Sequence, residues 1–228
     1  MIASKDLFQE VVFVNQHSPF SRYYAVDSRP VVLREWDPLT PREWLLQEII
    51  SSCGAAAGFT LERLWPDPRK ARKKLLALYR AGFLCLHKLR GEREMNVFSF
   101  SPTFSLEPGL RQLATAQFCV RLKEVRDCVL IPQTGCWTLS YRDKGREKDL
   151  RVLVFRKNSD DPLALLPLLK EPAVVVADAL TNAFKGFPVR IALDRDLISG
   201  PLRFYLPDGT EDVESPFREA KLFQKNFR

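Results

Sequence analysis

The chain has 228 residues, of which 46% are hydrophobic and 28% are charged, a balance typical of folded globular proteins. This length suits one large domain or two small ones, and no apolar run approaches the roughly 20 residues that a membrane span needs. The first residues lack the apolar core of a signal peptide. The formal net charge of +7 favours a polyanionic partner. We therefore expect a cytoplasmic protein with no membrane partner.

Cysteine and histidine usage argues against a metal centre. The five cysteines are scattered, no CxxC motif occurs, and the chain has only two histidines. Neither a zinc site nor a disulfide framework is supported by this pattern. Phosphate-binding loops of the GxGxxG and GxxxxGK[ST] types are also absent. We expect buried free thiols, no metal ion and no cofactor.

Residues 1–36 are interpreted as an N-terminal extension with two short β-prone pieces, at 7–14 and 30–33. Between them, residues 18–24 form an aromatic loop that contains Arg22. Aromatic rings beside a cation can stack on nucleic-acid bases. Such rings more often belong to a satellite of the hydrophobic core, and both interpretations stay open.

Two helices are predicted next. The Thr-Pro-Arg-Glu run at 40–43 has the pattern of a capping box with proline at the first helical position. The helix that it starts should bury Leu45, Leu46, Ile49 and Ile50. A short second helix is expected at 61–65, with Thr60 as its cap.

A third helix has the most informative pattern. Asp67 is a suitable N-cap, Pro68 occupies the first helical position, and Gly82 is a typical stop residue. One face is apolar, and the opposite face carries five cations with no acid inside the helix. The cationic face comprises Arg69, Lys70, Lys73, Lys74 and Arg80, with Arg72 at its border. A charge run of this kind is most often only a solvated face.

A β-hairpin follows, with strands at 83–89 and 95–100 and a polar turn between them. Short helices followed by a basic helix and a hairpin resemble the winged-helix family of DNA-binding proteins. That resemblance implies that the third helix enters the major groove and that the hairpin, the wing, touches the flanking backbone. The implied DNA contacts are Arg69, Lys70, Arg72, Lys73, Lys74 and Arg80 on the helix and His87, Lys88, Arg90 and Arg93 on the wing.

The second half alternates strands and helices. An amphipathic helix is predicted from Pro108 to about Arg126, either bridging two domains or pairing with a second copy in a homodimer. Strands are expected at 129–131, 137–141, 150–155, 173–177, 189–193 and 202–206. One helix is expected at 160–169, and a short helix after the strand at 173–177 should end at about residue 184. The predicted fold class is α+β, an N-terminal winged helix-turn-helix followed by a mixed α/β sheet domain. The expected units are the extension (1–36), the winged helix (37–105), a linking helix (106–126) and the α/β domain (127–228).

Two acidic patterns in the second half are candidate sites. Asp208, Glu219 and Lys221 formally match the PD…ExK pattern of magnesium-dependent nucleases. However, Asp208 lies in a Pro-Asp-Gly-Thr turn, and the segment around Glu219 is predicted to be helical where the nuclease pattern needs a strand. Asp194 and Asp196 follow a strand at its carboxyl end, where ligands bind in open α/β sheets. The simpler interpretation of that pair is a solvated loop.

The whole layout is similar to the replication-relaxation family of plasmids and mobile elements, whose C-terminal part resembles a degenerate nuclease fold. The resemblance rests on the order of elements and on the Leu-Tyr-Arg-Ala-Gly-Phe-Leu junction at 78–84. It implies DNA binding in replication, maintenance, mobilisation or transcriptional control. We expect a double-stranded DNA-binding protein that is not an enzyme. The alternatives are a magnesium-dependent nuclease and a winged-helix protein-interaction adaptor.

Overall fold

The structure is a computed structural model that describes residues 18–29, 31–143, 145–213 and 215. The α-helices in these ranges are α1 (Pro41–Cys53), α2 (Gly58–Glu62), α3 (Pro68–Arg80), α4 (Leu106–Lys123), α5 (Pro162–Leu165) and α6 (Asp194–Ile198). Short 3-10 helices cover Leu166–Leu169 and Asn182–Phe184. The predicted helix at 160–169 is therefore part α-helix and part 3-10 helix.

The strands form two sheets. They are β1 (Tyr23–Arg29), β2 (Ala55–Ala57), β3 (Cys85–Gly91), β4 (Glu94–Ser99), β5 (Cys128–Gln133), β6 (Cys136–Asp143), β7 (Arg146–Phe155), β8 (Ala173–Ala177) and β9 (Val189–Leu193). The first sheet has the order β1-β3-β4-β2 and is antiparallel throughout. The second has the order β5-β6-β7-β8-β9, antiparallel from β5 to β7 and parallel from β7 to β9. A mixed α+β protein with two sheets results, as the sequence predicts at that level.

The starts of α1 and α3 are those that the sequence predicts. At α1, Thr40 Oγ1 accepts from the Glu43 backbone N–H at 3.3 Å, and Glu43 Oε2 accepts from the Thr40 N–H at 3.0 Å. This reciprocal pair satisfies two N–H groups that a helix start leaves open. At α3, Asp67 Oδ1 accepts from the Arg69 N–H at 2.8 Å.

The prediction for the second helix is wrong in its position. The helix begins at Gly58, so Thr60 lies inside it instead of capping it. Thr60 is buried, and its hydroxyl donates to Gln117 Oε1 at 2.5 Å. A tertiary partner on α4 therefore uses the hydroxyl that looked like a cap.

Helix α4 lies between the two sheets. Its residues 113–122 are buried, and it packs against β2 and α1 on one side and against α6 on the other. One hydrophobic cluster includes Leu75 of α3, Phe118 of α4 and Val174 of β8. Helix α4 therefore contacts both halves of the chain, and the segments on either side of it share a core.

Two other segments differ from the predicted elements. Strand β1 was not predicted; it begins inside the supposed aromatic loop and pairs with β3. The expected strand at 202–206 reduces to isolated bridges from Tyr205 to Ile191 and Glu211. The predicted β-prone piece at 7–14 lies outside the described residues.

The expectation of buried free thiols is confirmed. All five cysteines are buried and free. No described helix combines the length and apolar character needed to cross a bilayer.

Glu43 should be a key stabilising residue because it serves both α1 and α3. Its buried carboxylate accepts from the Leu39 and Thr40 N–H groups and pairs with Lys74. Glu43→Ala should lower the free energy of unfolding by about 2 kcal/mol, since it removes a cap and leaves donors without an acceptor. Urea denaturation measures the change.

Glu94→Ala is the control for that experiment. Glu94 pairs with Lys88 at 3.3 Å, but its side chain is mostly exposed, so its loss should change stability by less than about 0.5 kcal/mol. Equal effects of the two substitutions would contradict the role assigned to Glu43.

Candidate nucleic-acid interface

The solvent face of α3 carries a row of cations that we call the cationic stripe: Arg69, Lys70, Lys73 and Arg80. The opposite face of the helix is buried through Ala71, Leu75 and Leu78. None of the four stripe residues forms an ion pair with any residue that the structure describes. From Arg69 to Arg80 the helix rises by about 16 Å.

Two other predicted contacts on α3 are engaged in the fold. Arg72 Nε pairs with Glu62 Oε1 of α2 at 2.8 Å, and Lys74 pairs with the buried Glu43 at the start of α1. These ion pairs fix α3 against the two preceding helices. Arg72 and Lys74 therefore have structural partners that a DNA contact would have to replace.

The wing cations are largely balanced by nearby acids. Arg90 Nη2 lies 3.4 Å from Asp27 Oδ2 of β1, and Lys88 Nζ lies 3.3 Å from Glu94 Oε2 of β4. Arg90 and Arg93 are exposed near the turn between β3 and β4, which also contains Glu92. The hairpin therefore presents little uncompensated positive charge.

His87 is not available as a wing contact, so this part of the prediction is wrong. Its side chain is 0% exposed. Nδ1 is hydrogen-bonded with Ser28 Oγ and Nε2 with Ser99 Oγ, both at 2.9 Å. Burial lowers the pKa of His87, although the Ser101 carbonyl opposes that shift. The alternation of β3 gives the missed signal, since Cys85 and Leu89 on the same strand face are also buried.

The nuclease-like pattern is only partly visible. Asp208 is exposed, and its Oδ1 accepts from the Thr210 N–H at 2.9 Å and the Thr210 hydroxyl at 2.7 Å. These two hydrogen bonds lower the pKa of Asp208. Glu219 and Lys221 lie outside the described residues. Within the described ranges, no group of three or more His, Cys, Asp or Glu side chains is arranged to hold a metal ion.

The acidic pair after β9 does not form a shared site. Asp194 is fully buried, where it accepts from Arg156 Nη1 at 2.6 Å and from the Ser18 hydroxyl. Asp196 instead accepts from the Tyr205 hydroxyl at 2.7 Å. The simpler interpretation of a solvated loop is thus wrong for Asp194, which connects the end of β7 to the start of α6.

Comparisons with known proteins found no match to this chain. No protein-family model matches the chain, and no curated protein or solved structure is significantly similar to it.

Asp194 should make stability depend on pH. Burial raises the pKa of Asp194 to about 6, although the charge of Arg156 and the Ser18 hydroxyl oppose the shift. Because the folded chain binds this proton more tightly than the unfolded chain, the stabilisation is complete below about pH 4 and is lost as the pH rises through about 6. Between these values, Asp194 should contribute a slope approaching about 1.4 kcal/mol per pH unit.

Urea denaturation from pH 4 to 7 tests this assignment. Asp194→Asn should flatten the slope relative to the unsubstituted protein, whatever its effect on the absolute stability. Glu147→Gln alters an exposed carboxylate and should leave the slope unchanged. Equal slopes for the Asp194→Asn and unsubstituted proteins would show that Asp194 is not the titrating group.

Proposed function

We propose that residues 41–99 form a winged-helix unit that binds double-stranded DNA through the cationic stripe. The order α1-β2-α2-α3-β3-β4, with β2 pairing to β4, supports this assignment because it places a hairpin directly after a basic helix. The observation that carries the proposal is that none of the charges of the stripe is paired with an acid in the described part of the chain. Those four cations are exposed, whereas their neighbours on α3 and the wing are mostly ion-paired.

The energetics of phosphate binding favour the stripe over the wing. A lysine or arginine that binds a phosphate releases counterions from DNA, which is the main source of electrostatic affinity. The cations of the stripe, which have no ion pair to break within the described structure, gain the whole free energy of counterion release. Arg90 and Lys88 would first have to give up part of their interaction with Asp27 and Glu94. The stripe should therefore dominate the affinity and its salt dependence.

The shape of the α3 surface also suits a groove. A major groove about 12 Å wide admits one α-helix. Ala77 is exposed in the same row as Lys73 and Arg80, so the C-terminal half of the helix presents a methyl group between these two cations. A small residue at that point allows the helix axis to approach the base edges, while the flanking cations reach the phosphates.

We propose that the protein binds DNA and does not act as an enzyme. The biological setting that we propose is replication, maintenance or transcriptional control of a plasmid or mobile element, and it is supported only by the resemblance in layout. The folded core that α4 shares with the second sheet supports a role for that sheet as a rigid base for the binding unit.

Arg69, Lys70 and Lys73 together provide the direct test. Replacing all three by alanine keeps the helix, since alanine has the highest helix propensity. Loss of three phosphate contacts should weaken duplex binding at least about tenfold at low salt and reduce the log–log salt slope by up to about 2.7. Fluorescence anisotropy with a labelled 20-base-pair duplex at several salt concentrations measures both quantities.

The matched control removes the same charge elsewhere. Lys157, Lys170 and Lys185 are exposed on the second half of the chain, and the structure shows no ion pair for them to a described residue. Replacing these three by alanine should change affinity far less. Equal losses in both triple variants would mean that net charge, and not the stripe, determines binding.

The protein-interaction adaptor is a second candidate because of one surface groove. The groove has a volume of about 820 Å³ and lies between α1 and the end of α4. Trp44 on its wall is 54% exposed, and the buried Gln47 Oε1 has no hydrogen-bond partner among the residues that the structure describes. An apolar ring beside an unpaired acceptor suits a peptide segment that brings a backbone N–H. If the protein shows no affinity for duplex DNA, this groove becomes the leading site.

The nuclease alternative makes a separate prediction. Because Asp208 is held by Thr210 in an exposed turn, we expect supercoiled plasmid incubated with the protein and Mg²⁺ or Mn²⁺ to remain intact on an agarose gel. Cleavage that disappears in both Asp208→Ala and Glu219→Ala would establish the nuclease instead. Cleavage that persists in both variants would indicate a contaminating enzyme.

A further inference from the structure

A second groove lies beside the first turn of α3, and we call it the Trp65 groove. It has a volume of about 410 Å³ and lies between α2 and the carboxyl ends of α4 and α6. Pockets that hold small organic groups have volumes of this order. The apolar part of its wall consists of Phe59, Trp65, Pro68 and Ile198.

The Trp65 groove adjoins the cationic stripe. Pro68 is the first residue of α3 and part of the groove wall, and Arg69, the first cation of the stripe, follows it directly. At about 100° per residue, Pro68 and Arg72 lie on the flank of α3 between the stripe and the buried face. Arg72 pairs at 2.8 Å with Glu62, which also lines the groove. A nucleotide whose phosphate binds Arg69 can therefore place its base at this groove.

The acids in the groove wall are already balanced by arginines. Arg63 Nε donates to Glu124 Oε1 at 2.6 Å, and Arg63 Nη2 donates to Glu124 Oε2 at 2.9 Å. Arg72 neutralises Glu62 from the side of α3. The two carboxylates therefore repel a nearby phosphate less than free acids would. Their oxygens keep lone pairs that can accept from the amino group of a base.

The aromatic wall of the groove suits a nucleobase. Trp65 and Phe59 are half-buried, pack against the hydrophobic core and line the groove. Aromatic rings stack on bases of any sequence because every base has a π-face. A base inside a duplex is already stacked and paired, and it would have to leave the helix to enter the groove. The groove therefore favours a nucleotide that is unpaired before it binds.

We propose that the Trp65 groove binds one unpaired base next to the duplex held by the stripe, so that the preferred ligand is a DNA duplex with a single-stranded overhang. This inference rests on the proposed DNA-binding function. The stripe binds the phosphates, and the unpaired base stacks on Trp65. The larger groove between α1 and the end of α4 has no described residue of α3 in its wall, so the same argument does not apply to it.

Fluorescence anisotropy can compare a blunt 20-base-pair duplex with the same duplex carrying a 3′ or a 5′ overhang. The protein should bind one of the two overhang duplexes at least about fivefold more tightly than the blunt duplex, the lower end for stacking of one base on an aromatic ring. Trp65→Ala should abolish this preference and leave the Kd for blunt duplex unchanged, which also shows that the variant is folded. Trp65→Phe keeps an aromatic ring and should retain most of the preference. Trp44→Ala alters an exposed tryptophan of the other groove and is the matched control, which should retain all of it.

A fluorescent base gives a readout that needs no substitution. 2-Aminopurine at the first unpaired position should lose fluorescence when the unsubstituted protein binds, because the base then stacks on Trp65. The same base in the middle of the duplex should show no such change. An unchanged signal at the unpaired position would contradict the inference.

The outcomes separate this inference from the proposed function. If both overhang duplexes bind no more tightly than the blunt one, the inference is overturned, and the groove is left to a side chain of a protein partner. If Trp65→Ala keeps the preference, the unpaired base binds elsewhere and the inference is also overturned. In both cases the stripe stands as long as the Arg69, Lys70 and Lys73 triple variant loses affinity for blunt duplex. If that triple variant binds blunt duplex normally, the proposed interface itself fails.

Discussion

The burial of α4 between the two sheets is the constraint on which the arrangement depends. Gln117 lies inside this apolar helix, where it accepts from Thr60 of α2 and donates to the Leu197 carbonyl of α6 at 2.6 Å. Since a buried amide without partners is costly, these two bonds fix α4 in one register against both neighbours. At the end of the helix, both Glu124 carboxylate oxygens accept from Arg63, which follows α2. The three helices of the first half are thereby attached to the second sheet.

The placement of the remaining charges follows from this attachment. Helix α3 buries one face in the shared core and is held at its sides by Glu43 and Glu62. Only its outer face is left without a partner in the described structure, and that face carries the cationic stripe. A rigid base with one unpaired cationic row favours a preorganised contact, because little side-chain or backbone ordering remains to oppose binding. In our proposal, the stripe supplies most of the electrostatic affinity for DNA, and the wing contributes less.

Local patterns predicted the helices of the first half better than the partners of their side chains. The ends of α3 follow from Asp67, Pro68 and Gly82, whose effects act within one turn of the helix. The ion pairs of Lys74 and Arg90 join residues 31 and 63 positions apart in the chain, and periodicity carries no information about them. The burial of His87 could have been predicted from strand alternation, whereas β1 depends on its pairing with β3, which no short-range pattern indicates.

Amide chemical-shift mapping on the ¹⁵N-labelled protein, titrated with a 20-base-pair duplex, tests the central claim most directly. Our account predicts that the largest shifts fall in residues 69–80, with a smaller set in the wing turn, and that the groove beside Trp44 is unaffected. Shifts centred on that groove, or spread evenly over exposed lysines such as Lys170 and Lys185, would contradict a specific interface on α3.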